Sequence, residues 1–279
     1  MPSRRRSEED VRRVGARVAL AVAAALFAGC DLTPSLEDTL GPRLAYEEVD
    51  LAPGLLADRM KEIDASYAEP RTPAKVQVSY ETSLISISPK NGYEALWKGA
   101  RACAWIALND PSPARRLEYA KKGCLMGQEA VKKLSNRVES HYYYAHCLGA
   151  LAQESPQRPG RRDIQKIRDE IQLALALDPR YDHCGPHRFL GELMVKTDPY
   201  PLFAVGTLTV GLQHLETATK LCPDFGENHL KYAEALREDG RLDRARRAAE
   251  RVLSCPVPPD YSVEHKDWLE KATTLIEEL

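Results

Sequence analysis

The sequence predicts an all-α chain, a solenoid of about five helix pairs closed by a C-terminal capping helix. Three observations carry this. From Leu55 onward apolar residues recur at three- and four-residue spacing, the period of a helix with one buried face. The breaks in that period fall at Pro and Gly, which interrupt helices through a missing N–H or a missing side chain. Three segments also end alike, at Ser88-Pro89-Lys90-Asn91, Asp178-Pro179-Arg180-Tyr181 and Cys222-Pro223-Asp224-Phe225, so one unit recurs along the chain.

Taken in order, the predicted pairs are 55–67 with 74–88, 92–108 with 113–134, 138–153 with 162–178, 186–197 with 206–222, and 226–239 with 241–254, followed by a last helix at 262–278. Val76-Gln77-Val78-Ser79-Tyr80 comes nearest to strand alternation. It leads straight into Leu84, Ile85 and Ile87 and stops at Pro89, so it is read as helix. The proline after a second helix fixes φ and turns the chain into the next unit. Small residues, Gly99, Gly191 and Ala233, stand in first helices where two helices must come close. Extra residues at 111–113, 155–160 and 198–201 lengthen loops or helix ends without disturbing the stack.

The first thirty residues read as an address. Six arginines between positions 4 and 17 precede an apolar run from Val18 to Ala28, the layout of a secretory signal. That run rises only about 16 Å as a helix, roughly half a bilayer core, and is too short to span one. Phe27-Ala28-Gly29-Cys30 resembles the bacterial lipobox, with Phe27 where an aliphatic residue is usual; the resemblance implies removal of residues 1–29 and lipid attachment at Cys30. Arg4-Arg5 lacks the hydrophobic pair of a twin-arginine signal. Residues 30–53, with Pro34, Gly41, Pro42 and Pro53, read as a flexible tether, and 54–279 as the helical domain. The expected location is the bacterial cell envelope, facing the periplasm; Asp31 resembles the inner-membrane retention signal of enteric bacteria and leans the expectation toward the inner membrane over the outer. The chain carries a net charge of -2, and loss of the leader's six arginines and three acids leaves -5. No basic field exists for a phosphate backbone, and nucleic acid is not an expected partner.

Ala95-Leu96-Trp97-Lys98-Gly99-Ala100-Arg101-Ala102, Tyr119-Ala120-Lys121-Lys122-Gly123, His141-Tyr142-Tyr143-Tyr144-Ala145 and Gly185-Pro186-His187-Arg188-Phe189-Leu190-Gly191 resemble the T component of TRAP transporter systems, a tetratricopeptide (TPR) lipoprotein. The same helical domain occurs in the regulator of microtubule dynamics proteins. Ala233, Gly240 and Ala245 fall at the TPR spacing, and the resemblance runs from about Leu55 to Leu253. The chain departs from the pattern in longer loops at 111–116 and 154–163, and in Lys98 where the repeat prefers an apolar residue. The resemblance implies a binding module, associated with a periplasmic solute-binding protein and a small, partly apolar ligand. A general TPR scaffold for another envelope complex is the alternative.

No catalytic constellation is expected: the chain has no Gly-x-Ser-x-Gly elbow, no phosphate-cradling glycine loop, no His-Glu-x-x-His and no Cys-x-x-Cys. No cofactor is expected. Counting from Gly191 and Ala233 puts Arg188, Glu192, Val195, Lys196, Leu230, Glu234 and Arg237 on the concave side, with Arg188 either a binding group or half of a structural ion pair. This set lacks the repeated Lys/Asn clamp for a chaperone tail. Three consecutive tyrosines, Tyr142 to Tyr144, point three ways on a helix, so Tyr143 or Tyr144 can line the groove while others pack as core. Trp97 is read as core. Six cysteines follow Cys30; candidate pairs are Cys103 with Cys124 and Cys184 with Cys222, Cys255 competing for Cys222, against buried free thiols as the alternative. His183, Cys184 and His187 lack a second Cys/His pair at zinc spacing, and no metal is expected.

Overall fold

The computed structural model describes residues 35–42, 44, 46, 51–88 and 92–279. Among them lie eleven α-helices, two 3-10 turns and no strand. The helices are α1 Pro53–Tyr67, α2 Pro73–Leu84, α3 Gly92–Asn109, α4 Pro113–Lys133, α5 Val138–Glu154, α6 Arg161–Leu177, α7 Tyr181–Thr197, α8 Leu208–Leu221, α9 Gly226–Glu238, α10 Leu242–Leu253 and α11 Ser262–Glu278. Local chemistry starts them: proline opens α1, α2 and α4, where its missing N–H costs nothing, and Thr72 and Thr207 cap α2 and α8 by accepting from Lys75 N and Val210 N. The strand-like Val76–Tyr80 stretch is helical, with Val76 and Tyr80 on one buried face four residues apart.

Each helix packs on the next, and first helices also touch across pairs, α3 on α5, α7 on α9 and α9 on α11. This is the TPR-like solenoid with a C-terminal cap. Its main core fills the space between α2 and α6 around Leu96, Ile106, Met126 and Leu151, and smaller clusters follow along α7 to α11. The predicted close approach is met at Gly191, where an added Cβ would lie 2.7 Å from Leu215 and 2.9 Å from the Gly211 carbonyl. Ala233 and Ala245 are fully buried, and Gly240 turns the chain at φ 75°. Lys98, unexpected at its position, reaches its ammonium 2.6 Å to Asp64 while its stem stays buried.

Two expectations need correction. Residues 35–40, read as part of a flexible tether, dock on the domain: Leu36 and Leu40 flank a 3-10 turn, Glu37–Thr39, and are 1% and 8% exposed. Their burial, with the Leu36 N–H donating to Asp163 Oδ1 at 2.8 Å, outweighs the Pro/Gly content on which the tether reading rested. Helix α7 starts at Tyr181 rather than 186, but Asp182, His183 and Cys184 have φ of 48°, 54° and 65° and form one left-handed turn before the right-handed helix. The signal, the Cys30 lipidation site and the turn at 89–91 lie outside the described residues. No described helix is long and apolar enough to cross a membrane.

Candidate functional site

Helix α5 spreads its three tyrosines as its period requires. Tyr142 is buried and donates to Asp182 Oδ2 at 2.5 Å; an added Cβ on Gly185 would sit 2.2 Å from its hydroxyl, so only glycine fits there. Tyr144 is buried on the far side, and its hydroxyl is held by Glu37 of the docked N-terminal segment. It therefore belongs to the core and does not line the groove. Tyr143 remains half-buried on the inner wall, stacked on Trp97 with ring centroids 5.9 Å apart and planes 8° apart, and set edge-on to Tyr181. Burial holds its phenol well above the usual range. Trp97, expected in the core, is likewise only half-buried.

These rings belong to a longer wall of half-buried aromatics on first helices and the turns beside them: Tyr67, Trp97, Tyr143, Tyr181, Phe189 and Tyr261. Cations sit on its faces. The Arg101 guanidinium lies 4.0 Å from the Tyr67 centroid and 5.2 Å from Trp97 and bonds Asp64 Oδ1 at 3.0 Å. Arg71 lies 5.0 Å from both Tyr67 and Tyr261 and pairs with Glu264 at 3.0 Å, and Trp105 Nε1 donates to the same carboxylate at 2.8 Å. The loop of the first helix pair thus meets the start of the capping helix. Two buried polar atoms along this wall have no protein partner, Arg101 Nε and His146 Nε2. His146 packs edge-on against Tyr142 and Phe189, and burial pushes its pKa down to about 4.

Arg188 does not face the groove. It is 6% exposed, and its guanidinium lies 3.0 Å from Glu227 and 3.8 Å from Asp182, donates to Asn228 Oδ1 at 2.8 Å and to the His183 carbonyl at 3.3 Å, and covers the Phe225 ring. Asp182 also accepts from the Tyr261 hydroxyl. Burial would raise the Asp182 carboxyl, but Arg188, Tyr142 and Tyr261 outweigh it and hold the pKa below the usual range; at Glu227 burial wins, and its pKa is raised. The left-handed turn is what brings Asp182 to this network. It is fastened by a Cys184–Cys222 disulfide, by stacking of His183 on Phe225, and by the Asn228 amide, which donates to the carbonyls of His183, Ala218 and Cys222. Each left-handed residue costs roughly 1–2 kcal/mol, so these fastenings are needed.

Glu192, Lys196 and Glu234 do come together, through a residue absent from the sequence reading: Lys231 lies 3.6 Å from Glu192 and 3.1 Å from Glu234, and Lys196 3.3 Å from Glu192. Glu234 also borders a cleft of ≈ 420 Å³ between α9 and α11, with Arg237, Asp267, Glu270, Lys271 and Glu278. The cysteines separate cleanly: Cys184–Cys222 is formed, and Cys103, Cys124, Cys147 and Cys255 are buried thiols, so neither the Cys103–Cys124 nor the Cys222–Cys255 pairing is made. Among the described residues no three His, Cys, Asp or Glu groups converge as metal ligands. The half-buried aromatics, Tyr67, Tyr181 and Tyr261, and the cations Arg71 and Arg101 are the residues that sequence reasoning missed.

The model of the family Regulator of microtubule dynamics protein 1-3 matches residues 60–187. The crystal structure of a thermophilic TPR protein from Thermus thermophilus superposes with a TM-score of 0.54 at 17% identity, covering 77% of this chain and 99% of that one. The fold is thus TPR-like. No curated protein matches the chain.

Proposed function

We infer that the chain is a lipid-anchored binding protein of the bacterial cell envelope, whose TPR-like domain receives a protein partner along its aromatic inner wall. The observation that carries this reading is the wall itself: half-buried rings around Arg101, and two buried polar atoms without protein partners. Tyr, Trp and Arg are the side chains that dominate binding surfaces, because each combines a large rigid area with a polar group. The leader ending in Ala28-Gly29-Cys30 and the Cys184–Cys222 disulfide both favour an oxidising compartment outside the cytoplasm. The finer assignment is a T-component-like role in a TRAP-type solute uptake system. There the partner is a periplasmic solute-binding protein, and a small, partly apolar ligand occupies the aromatic wall. It rests on the sequence resemblance.

The test is site-specific photocrosslinking in intact cells. A benzoylphenylalanine at position 143 should capture one exported protein, and the same probe at exposed Ile85 should not. Equal capture at both positions, or capture of cytoplasmic proteins, refutes the reading. Fatty acid labelling that persists in Cys30→Ala refutes the anchor separately.

A further inference from the structure

The left-handed turn at Asp182, His183 and Cys184 places groups on the inner wall. That region of backbone space is crowded for any residue with a Cβ, so a run of consecutive side-chain-bearing residues stands there only where its surroundings hold it. Tyr181, just before the run, is set edge-on to Tyr142 and Tyr143, with ring centroids 5.2 and 6.2 Å away. Asp182 accepts from the hydroxyls of Tyr142 and Tyr261. Tyr181 thus takes its place on the wall from this turn, and Tyr261 takes from it the partner of its hydroxyl.

The last residue of the run is Cys184, and its bond to Cys222 joins it to the C-cap of α8. The other fastenings pass through the same junction. The Asn228 amide donates to the His183 carbonyl on one side and to the Ala218 and Cys222 carbonyls on the other, while Arg188 donates to His183 and to Asn228 Oδ1. These hydrogen bonds exist only while the turn and the end of α8 stay together, and in water each of their groups finds another partner. The disulfide, being covalent, holds the two segments together whatever the turn's conformation. Forming it takes two electrons and two protons from the Cys184 and Cys222 thiols and passes them to the disulfide of a thiol oxidase, which leaves as a dithiol.

We propose that the Cys184–Cys222 disulfide switches the inner wall. Oxidised, the left-handed turn stands and Tyr181 completes the wall; reduced, the turn relaxes, Tyr181 leaves the wall and Tyr261 loses its acceptor. The wall is then complete only in an oxidising compartment. The consequence for binding rests on the wall being the surface that receives the partner.

Fluorine spectra of the purified full chain carrying 3-fluorotyrosine test the switch, with the Tyr144, Tyr181 and Tyr261 signals assigned by replacing each with Phe. Tyr144, held by Glu37 on the far side of α5, reports the rest of the fold. On reduction with dithiothreitol the Tyr181 signal should move to the position of exposed tyrosine and the Tyr261 signal should shift, with Tyr144 unmoved. Two disulfide-free proteins separate the turn from the cross-link. Cys184→Gly with Cys222→Ala supplies a residue that accepts a φ of 65°, and Cys184→Ala with Cys222→Ala does not. The glycine protein should keep several-fold more of the oxidised Tyr181 signal, although glycine weakens the fold as a whole. Rings that stay in place on reduction, or equal spectra for the two variants, overturn the switch. Loss of the Tyr144 signal in the glycine protein also overturns it, because the disulfide then supports the whole domain. In cells, capture by benzoylphenylalanine at position 143 should fall several-fold in the Cys184→Ala, Cys222→Ala protein, and undiminished capture overturns the consequence for binding. The spectra need no partner, so they decide the switch even where the parent captures nothing and the wall fails as a binding surface.

Discussion

Arg188→Ala separates the two roles that an arginine at this position can have. The side chain is buried among Asp182, Glu227 and Asn228, so its removal strands two carboxylates in a low-dielectric interior. Breaking a buried pair from one side costs about 3–5 kcal/mol, a large share of the roughly 5–15 kcal/mol that holds a domain together. For a domain of this size about 2–4 °C of Tm accompanies each kcal/mol, so the variant should melt about 6–20 °C below the parent. The loss should depend on pH with a definite sign. Without the guanidinium both carboxyls rise in pKa in the folded state. Groups raised on folding stabilise below their unfolded pKa and lose that contribution as pH rises. The deficit should therefore be smaller near about pH 5 than near about pH 7.5. Lys196→Ala is the control: its ammonium is mostly exposed and pairs with Glu192 one turn away, an interaction of about 0.3–0.5 kcal/mol. The assay is calorimetric or circular-dichroism melting of the three proteins at both pH values. An Arg188→Ala melt within about 2 °C of the parent would refute the buried-network assignment and restore Arg188 to the groove.

Other outcomes follow from the same contacts. Gly185→Ala forces a methyl to within 2.2 Å of the Tyr142 hydroxyl and should destabilise by about 1–3 kcal/mol, read from urea unfolding. Replacing Cys184 and Cys222 together by serine opens a link between residues 38 apart and should cost about 4 kcal/mol by chain entropy, and the same loss should follow treatment of the parent with a reductant. His146 and His187, both pushed down to about 4 by burial, are neutral in the fold, so stability is full above their unfolded pKa of about 6.5 and declines as pH falls from there toward 4. His146→Phe should flatten that part of the Tm–pH curve without abolishing it; an unchanged slope would show that His146 is not buried as described.

Nearly all of the helical architecture was legible in the chain, because a helix is a local object. Its period, its caps at Thr72 and Thr207 and its stops at Pro179 and Pro223 are written within a few residues of where they act. The small residues worked in the same way, since close approach at Gly191 depends mainly on the absence of a side chain. The candidate site was legible only in part. Counting helical turns from Gly191 put Glu192 and Lys196 on one face, where they pair at 3.3 Å, but it put the buried Arg188 on the open side. The count is silent about the left-handed turn at 182–184, which swings Asp182 in and gives Arg188 a buried partner.

By itself the sequence determined the class of fold, the order and rough length of its helices, and the short list of cysteine pairings that contained Cys184–Cys222. These follow from covalent and local constraints that every conformation of the chain shares. Tertiary structure alone decided which of Tyr142, Tyr143 and Tyr144 faces the inner wall, that Leu36 docks beside Asp163, that four thiols stay free, and that Arg71 joins the first helix pair to Glu264 across 193 positions. Each depends on which groups meet when distant segments pack. A side chain's charge or ring does not announce its partner, because the energy of burying it is settled only by what stands on the other side.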